Sequence, residues 1–121
     1  LILFSKNGRQ EVLETFAQCK QEITEDSDAS PPAQLFACLG LDEQQDLRWA
    51  VRALTPHVAI QGNLDNALLL TNPAQIRTAT KAMLDDAQNC GRYIANLGHG
   101  VIKETPTENV SAFVETVRGI N

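Results

Sequence analysis

Apolar and polar positions along this chain fall into blocks. Four short apolar runs, Leu1 to Phe4, Leu35 to Leu41, His57 to Ile60 and Tyr93 to Leu97, each end in a polar or glycine-containing cluster. The clusters are Ser5-Lys6-Asn7-Gly8, Gly40-Leu41-Asp42, Gln61-Gly62-Asn63-Leu64-Asp65 and Gly98-His99-Gly100. A stretch with apolar residues at helical spacing follows each cluster. The first, from about Arg9 to Thr24, puts Val12, Leu13, Phe16, Lys20 and Ile23 near one face, the lysine stem lying along it. The second carries Leu47, Ala50, Val51 and Leu54. The third opens with Asn72 as cap and Pro73 at the first helical position, and buries Ile76, Ala79, Met83, Leu84 and Ala87. In the fourth, Thr105-Pro106-Thr107-Glu108 predicts a capping box, with Val110, Phe113, Val114 and Val117 as the apolar face.

Short apolar runs alternating with amphipathic helices predict an α/β fold of four consecutive βα units with parallel strands. Right-handed crossovers then set successive strands side by side. All four polar clusters lie at the carboxyl ends of the strands, the rim at which parallel α/β architectures bind ligands. Lys6, Asp42, Asn63, Asp65 and His99 are therefore expected to converge on one face.

Composition narrows the picture. With 121 residues, 43% of them hydrophobic, the chain suits a single domain over residues 1–121 with one modest core. The acidic, proline-ended segment at about 24–32 is expected to be its mobile loop. A net charge of −5 disfavours nucleic acid, since no basic stripe is present to neutralise phosphates. Cys19, Cys38 and Cys90 are odd in number and widely spaced, which argues against a disulfide framework and against zinc. They read as reduced thiols of a cytoplasmic protein. No apolar run is long enough to span a membrane as a helix. Asn109-Val110-Ser111 matches a glycosylation sequon by chance. The chain opens on Leu1-Ile2-Leu3-Phe4, inside an apolar strand, as a piece of something longer would.

Two rim motifs together are specific. QGNLD (Gln61 to Asp65) and YIANLGHG (Tyr93 to Gly100), followed by TPTENVSAFVETV (Thr105 to Val117), resemble the carboxyl-terminal half of the uroporphyrinogen decarboxylase family. SKNG (Ser5 to Gly8) and GLD (Gly40 to Asp42) resemble the family's two preceding strand ends, and MLDDAQNCGRYIANLGHG (Met83 to Gly100) matches over almost its whole length. The resemblance implies a (β/α)₈ barrel of which this chain is the second half. It implies an enzyme acting without metal or organic cofactor, which removes the carboxyls of the four acetate side chains of uroporphyrinogen to give coproporphyrinogen in heme synthesis. It implies a tetrapyrrole substrate, the missing amino-terminal half of the barrel, and a second copy in a homo-oligomer as partners. The family's paired arginines and its pyrrole-facing aspartate belong to that other half, so the isolated chain is expected to be inactive.

His99 matches the family's active-site histidine, with a hydrogen bond to a substrate carboxylate or assistance in proton transfer as its implied role. Gly98 and Gly100 would let the backbone approach the ligand. Gln61, Asn63 and Asp65 have two open readings, capping the rim or touching substrate. Asp42 lines the cleft or caps its helix, and Lys6 meets substrate carboxylates or pairs with Asp42 or Asp65. A truncated, non-catalytic half-barrel that associates with itself or a partner is the alternative, because an open sheet has unpaired edges. Zinc-dependent methyltransferases on the same barrel are a third class, weakened because neither Cys38 nor Cys90 lies at a strand end.

Overall fold

The structure, a computed structural model, describes residues 2–5 as backbone and residues 38–54 and 58–119 in full. Lys6, Cys19, the expected first helix, the acidic segment and His57 lie outside the described residues.

Four strands, β1 (Ile2–Ser5), β2 (Cys38–Leu41), β3 (Ala59–Leu64) and β4 (Tyr93–Leu97), form one sheet in the order β1-β2-β3-β4. Every pair is parallel, with Phe4 opposite Gly40, Gly40 opposite Gln61 and Asn63 opposite Asn96. The fold is thus α/β with a parallel sheet in sequential order. Helices α1 (Leu47–Leu54), α2 (Pro73–Ala87) and α3 (Thr107–Val117) follow β2, β3 and β4, and a short 3₁₀ helix (Asn66–Leu70) precedes α2.

Strand residues point alternately to the two sheet faces. Leu39, Leu41, Ile60, Leu64 and Leu97 join Leu47, Val51, Leu54, Ile76, Met83 and Phe113 of the helices in one core. Gln61, Asn63, Ile94 and Asn96 therefore share the opposite face. Burying such a leucine or isoleucine stabilises the fold by about 2 kcal/mol each, which fixes the register and so fixes which side chains reach that second face.

Local signals explain the helix ends. Asp46 opens α1: its Oδ1 accepts from Trp49 N at 3.0 Å and its carbonyl accepts from Ala50 N at 3.0 Å. Asn72 Oδ1 accepts from Gln75 N at 3.0 Å, with Pro73 at the first position of α2, as the sequence predicts. Arg48 pairs with Asp86 at 2.5 Å between α1 and α2, and Arg77 with Glu115 at 3.2 Å between α2 and α3.

Three expectations need correction. The third strand begins at Ala59 and runs on to Leu64, so Gln61, Gly62 and Asn63 belong to the strand rather than to a loop after it. The predicted capping box does not form. Pro106, not Thr105, is the cap residue of α3, it makes no side-chain cap bond, and Thr105 Oγ1 is buried without a partner. The buried face of α3 is broader than the predicted one: Phe113 is inside and Val110 and Val117 pack against the core as expected, but Asn109, Ala112 and Thr116 are buried as well, while Val114 is exposed. Two polar residues can lie inside because both are satisfied. Asn109 Nδ2 donates to Leu69 O at 2.8 Å and Thr71 O at 3.0 Å, and Thr116 Oγ1 donates to Ala112 O at 2.7 Å. With its amide so engaged and 3% exposed, Asn109 is a packing residue and no glycan acceptor.

Candidate functional site

Among the described residues, the turns after β2, β3 and β4 stand at the carboxyl rim of the sheet, and they are held in different ways. After β2 the chain folds back on itself. Asp42 is 2% exposed, its Oδ1 accepts from Gln44 N at 3.0 Å, and Gln45 N donates to the Asp42 carbonyl at 3.2 Å. Asn63 of β3 then donates to Asp42 O and Gln45 O, each at 2.8 Å. Both hydrogens of its amide are therefore engaged by the neighbouring turn. Asp65 Oδ1 accepts from Ala67 N at 2.9 Å and starts the 3₁₀ helix.

Gly62 lies beneath this arrangement with φ of +133°, and a Cβ there would stand 2.7 Å from Leu41 O, so a side chain has no place. The Gly62–Asn63 peptide is cis. Tyr93 from β4 donates its hydroxyl to the Gly62 carbonyl. Burial pushes the Tyr93 phenol well above its usual range, because a phenolate would be poorly solvated there.

After β4 the chain makes the Gly98-His99-Gly100 turn. Gly98 N donates to Leu64 O at 2.7 Å, which extends the β3–β4 pairing by one bond. A Cβ on Gly98 would overlap the Glu43 backbone and lie 2.9 Å from Asp42 C. The space left by this glycine is thus filled by the turn after β2, not kept open for a ligand as expected from the sequence. Gly100 differs: a Cβ there would meet nothing within 4 Å. Its carbonyl accepts from Asn66 Nδ2 at 2.8 Å.

On the second sheet face, a cavity of about 380 Å³ opens at this rim. Gly40 of β2, Gln61 of β3, Asn96 and Leu97 of β4, and His99, Gly100 and Val101 of the following turn border it. His99 is exposed. Asn96 Oδ1 accepts from Leu97 N at 2.8 Å, which commits the amide oxygen and leaves Nδ2 as the group to offer. Two amides and an imidazole can hydrogen-bond a carboxylate and pass a proton. None of the seven residues bordering the cavity is a lysine or arginine, so they supply no fixed cation for an anionic ligand.

Of the predicted site residues, Gln61, His99 and Gly100 come together. Asp42, Asn63, Asp65 and Gly98 instead build and pack the rim. Asp42 does not cap α1 as one reading had it; Asp46 does that, and Asp42 closes the preceding turn. Lys6 lies outside the described residues. Asn96 was missed, although a polar residue within the apolar run Tyr93 to Leu97 was a legible signal, since alternation puts it on the face of Gln61.

Cys38 and Cys90 are free thiols, and burial pushes the Cys38 thiol up, with Cys90 adding to the shift. Among the described residues, no three His, Cys, Asp or Glu side chains gather as a metal would need. No helix of the described residues is long and apolar enough to cross a membrane.

Comparison with known proteins bears directly on this rim. The family model for uroporphyrinogen decarboxylase (URO-D) matches residues 1–120. The chain belongs to the uroporphyrinogen decarboxylase family. It is 40% identical to the uroporphyrinogen decarboxylase of Coxiella burnetii over 121 residues, which are 100% of this chain and 29% of the relative. It is 38% identical to that of Acinetobacter baumannii over 120 residues, 97% of this chain and 29% of the relative. To that of Thermus thermophilus it is 43% identical over 82 residues, 68% of this chain and 24% of the relative. The chain thus spans under a third of the length of these uroporphyrinogen decarboxylases. The resemblance read from QGNLD and YIANLGHG is the one these matches carry.

Proposed function

We propose that this chain is the carboxyl-terminal part of a uroporphyrinogen decarboxylase, and that residues 1–121 supply four consecutive βα units forming the second half of a (β/α)₈ barrel. Its sequential parallel strand order is the order such a barrel requires. In this reading the enzyme is cytoplasmic and homo-oligomeric, uses no metal or organic cofactor, and converts uroporphyrinogen to coproporphyrinogen. Each acetate side chain loses carbon dioxide: the pyrrole is protonated on a ring carbon, the bond to the carboxyl carbon breaks, its electron pair moves into the ring, the exposed carbon takes up a proton to become a methyl, and the ring carbon then releases its proton to restore the pyrrole.

The observation that carries the reading is the meeting of His99 with Gln61 and Asn96 in one cavity at the carboxyl rim. His99 would hydrogen-bond a substrate carboxylate or assist proton transfer, and the two amides would orient the same group. Among the described residues the lining has no lysine or arginine, so in this reading the positive field for a polycarboxylate comes from residues beyond that lining, the remainder of the barrel supplying most of it.

The test is a chimera in which this chain replaces the matching segment of the Coxiella burnetii relative. The chimera should release carbon dioxide from uroporphyrinogen, and His99→Ala within it should lower turnover by about 10²-fold, the usual weight of a positioned acid–base group. A folded chimera without activity, or one in which His99→Ala leaves both rate and product pattern unchanged, would sink the reading.

A further inference from the structure

We propose that Asn66 is a positioning residue for His99, a role that rests on the reading of the cavity as the reaction site. His99 sits between two glycines, and a Gly-His-Gly turn left to itself would sample many backbone states. Its two ends are restrained differently. Gly98 is fixed by its bond to Leu64 O at 2.7 Å and by close packing on the Asp42–Glu43 backbone. Gly100 has open space around it, and Asn66 Nδ2 reaches its carbonyl at 2.8 Å from 34 residues away.

Asn66 is itself well placed to act as an anchor. It is the first residue of the 3₁₀ helix, directly after Asp65, whose carboxylate caps that helix at Ala67 N. The other end of the same helix is gripped by the buried Asn109 amide, through Leu69 O and Thr71 O. Leu69 is 1% exposed. A firmly seated helix turn thus holds out one amide, and that amide restrains the free end of the His99 turn. The hydrogen-bond donor is the essential feature, because the acceptor is a backbone carbonyl.

The test compares Asn66→Ala and Asn66→Asp, the second of similar shape but without the donor, in the protein at its full natural length. Backbone ¹⁵N relaxation should show the order parameters of His99 and Gly100 falling in both variants from about 0.85 towards 0.6. Thermal midpoints should stay close to the parent, since the bond is exposed, and kcat/KM should drop about 10-fold, the loss of one hydrogen bond. Unchanged order parameters in both variants overturn the proposal. So does a drop in Asn66→Ala alone, which would assign the effect to packing rather than to the donated hydrogen. His99→Ala, run beside them, separates the two claims. If it leaves turnover intact while the Asn66 variants loosen the turn, the anchor stands and the site reading falls.

Discussion

The turns after β2 and β4 sit at the same rim and are built in opposite ways. The β2 turn is closed on itself: Asp42 is buried, its carboxylate and carbonyl are used within the turn, and Asn63 seals it from the side. The β4 turn is restrained only from outside, and it leaves its ionisable residue exposed. An acidic or amide residue at a strand end is thus no evidence of a ligand contact by itself. What decides is whether its donors and acceptors are already taken.

The two glycines of the β4 turn give the sharpest way to break this contrast. Gly98→Ala forces a Cβ onto the backbone of Asp42 and Glu43, which cannot give way as a side chain could. We expect a loss of about 3 kcal/mol or more, read from the urea midpoint. Gly100→Ala meets nothing within 4 Å and should change stability by less than about 0.5 kcal/mol. Equal effects at the two positions would mean that the β2 and β4 turns are not locked together through Gly98.

The seal on the β2 turn comes next. Asn63→Ala removes two donated hydrogen bonds and leaves the carbonyls of Asp42 and Gln45 without that partner. For part-buried acceptors the expected cost is about 2 kcal/mol, again by urea denaturation. Gln61→Ala, on the same face two residues earlier, borders the cavity instead and should cost under about 0.5 kcal/mol while weakening ligand binding. If Asn63→Ala is neutral for stability yet Gln61→Ala is not, the assignment of sealing and lining roles is reversed.

These differences also explain what could be read from the chain beforehand. The strand Tyr93–Leu97 and the buried set Leu47, Ala50, Val51 and Leu54 were plain because apolar spacing alone determines them. The extent of β3 was hidden because its second face is polar, so Gln61 and Asn63 resembled loop residues. The polar part of the buried α3 face was hidden because Asn109 and Thr116 are buried with their polar atoms satisfied by partners far along the chain or one helical turn back, which periodicity cannot foresee. The Asn66–Gly100 tie spans 34 residues and is invisible to any local rule. The motifs drew attention to His99 and Gln61, which border one cavity, but the division between rim-building and cavity-lining residues needed the hydrogen bonds.

The mildest of the three destabilising changes concerns Tyr93, which joins the two regions by donating its hydroxyl to the carbonyl of Gly62, the glycine wedged under the β2 turn. It is the single tyrosine of the chain, so phenolate absorbance reports it alone. Burial raises its pKa above the ordinary value near 10. The folded state therefore holds this proton more tightly than the unfolded chain does. The associated stability is fully present below about pH 10 and is lost as pH climbs towards the raised folded value. Tyr93→Phe should cost about 1 kcal/mol at neutral pH through the lost hydrogen bond. Its stability should then decline less steeply than the parent's above pH 10, so that the two urea midpoints converge there. Parallel midpoints across that range, or a phenol that titrates at its ordinary value in the folded protein, would show that Tyr93 is not buried against Gly62 and that β4 does not brace the β2 turn from below.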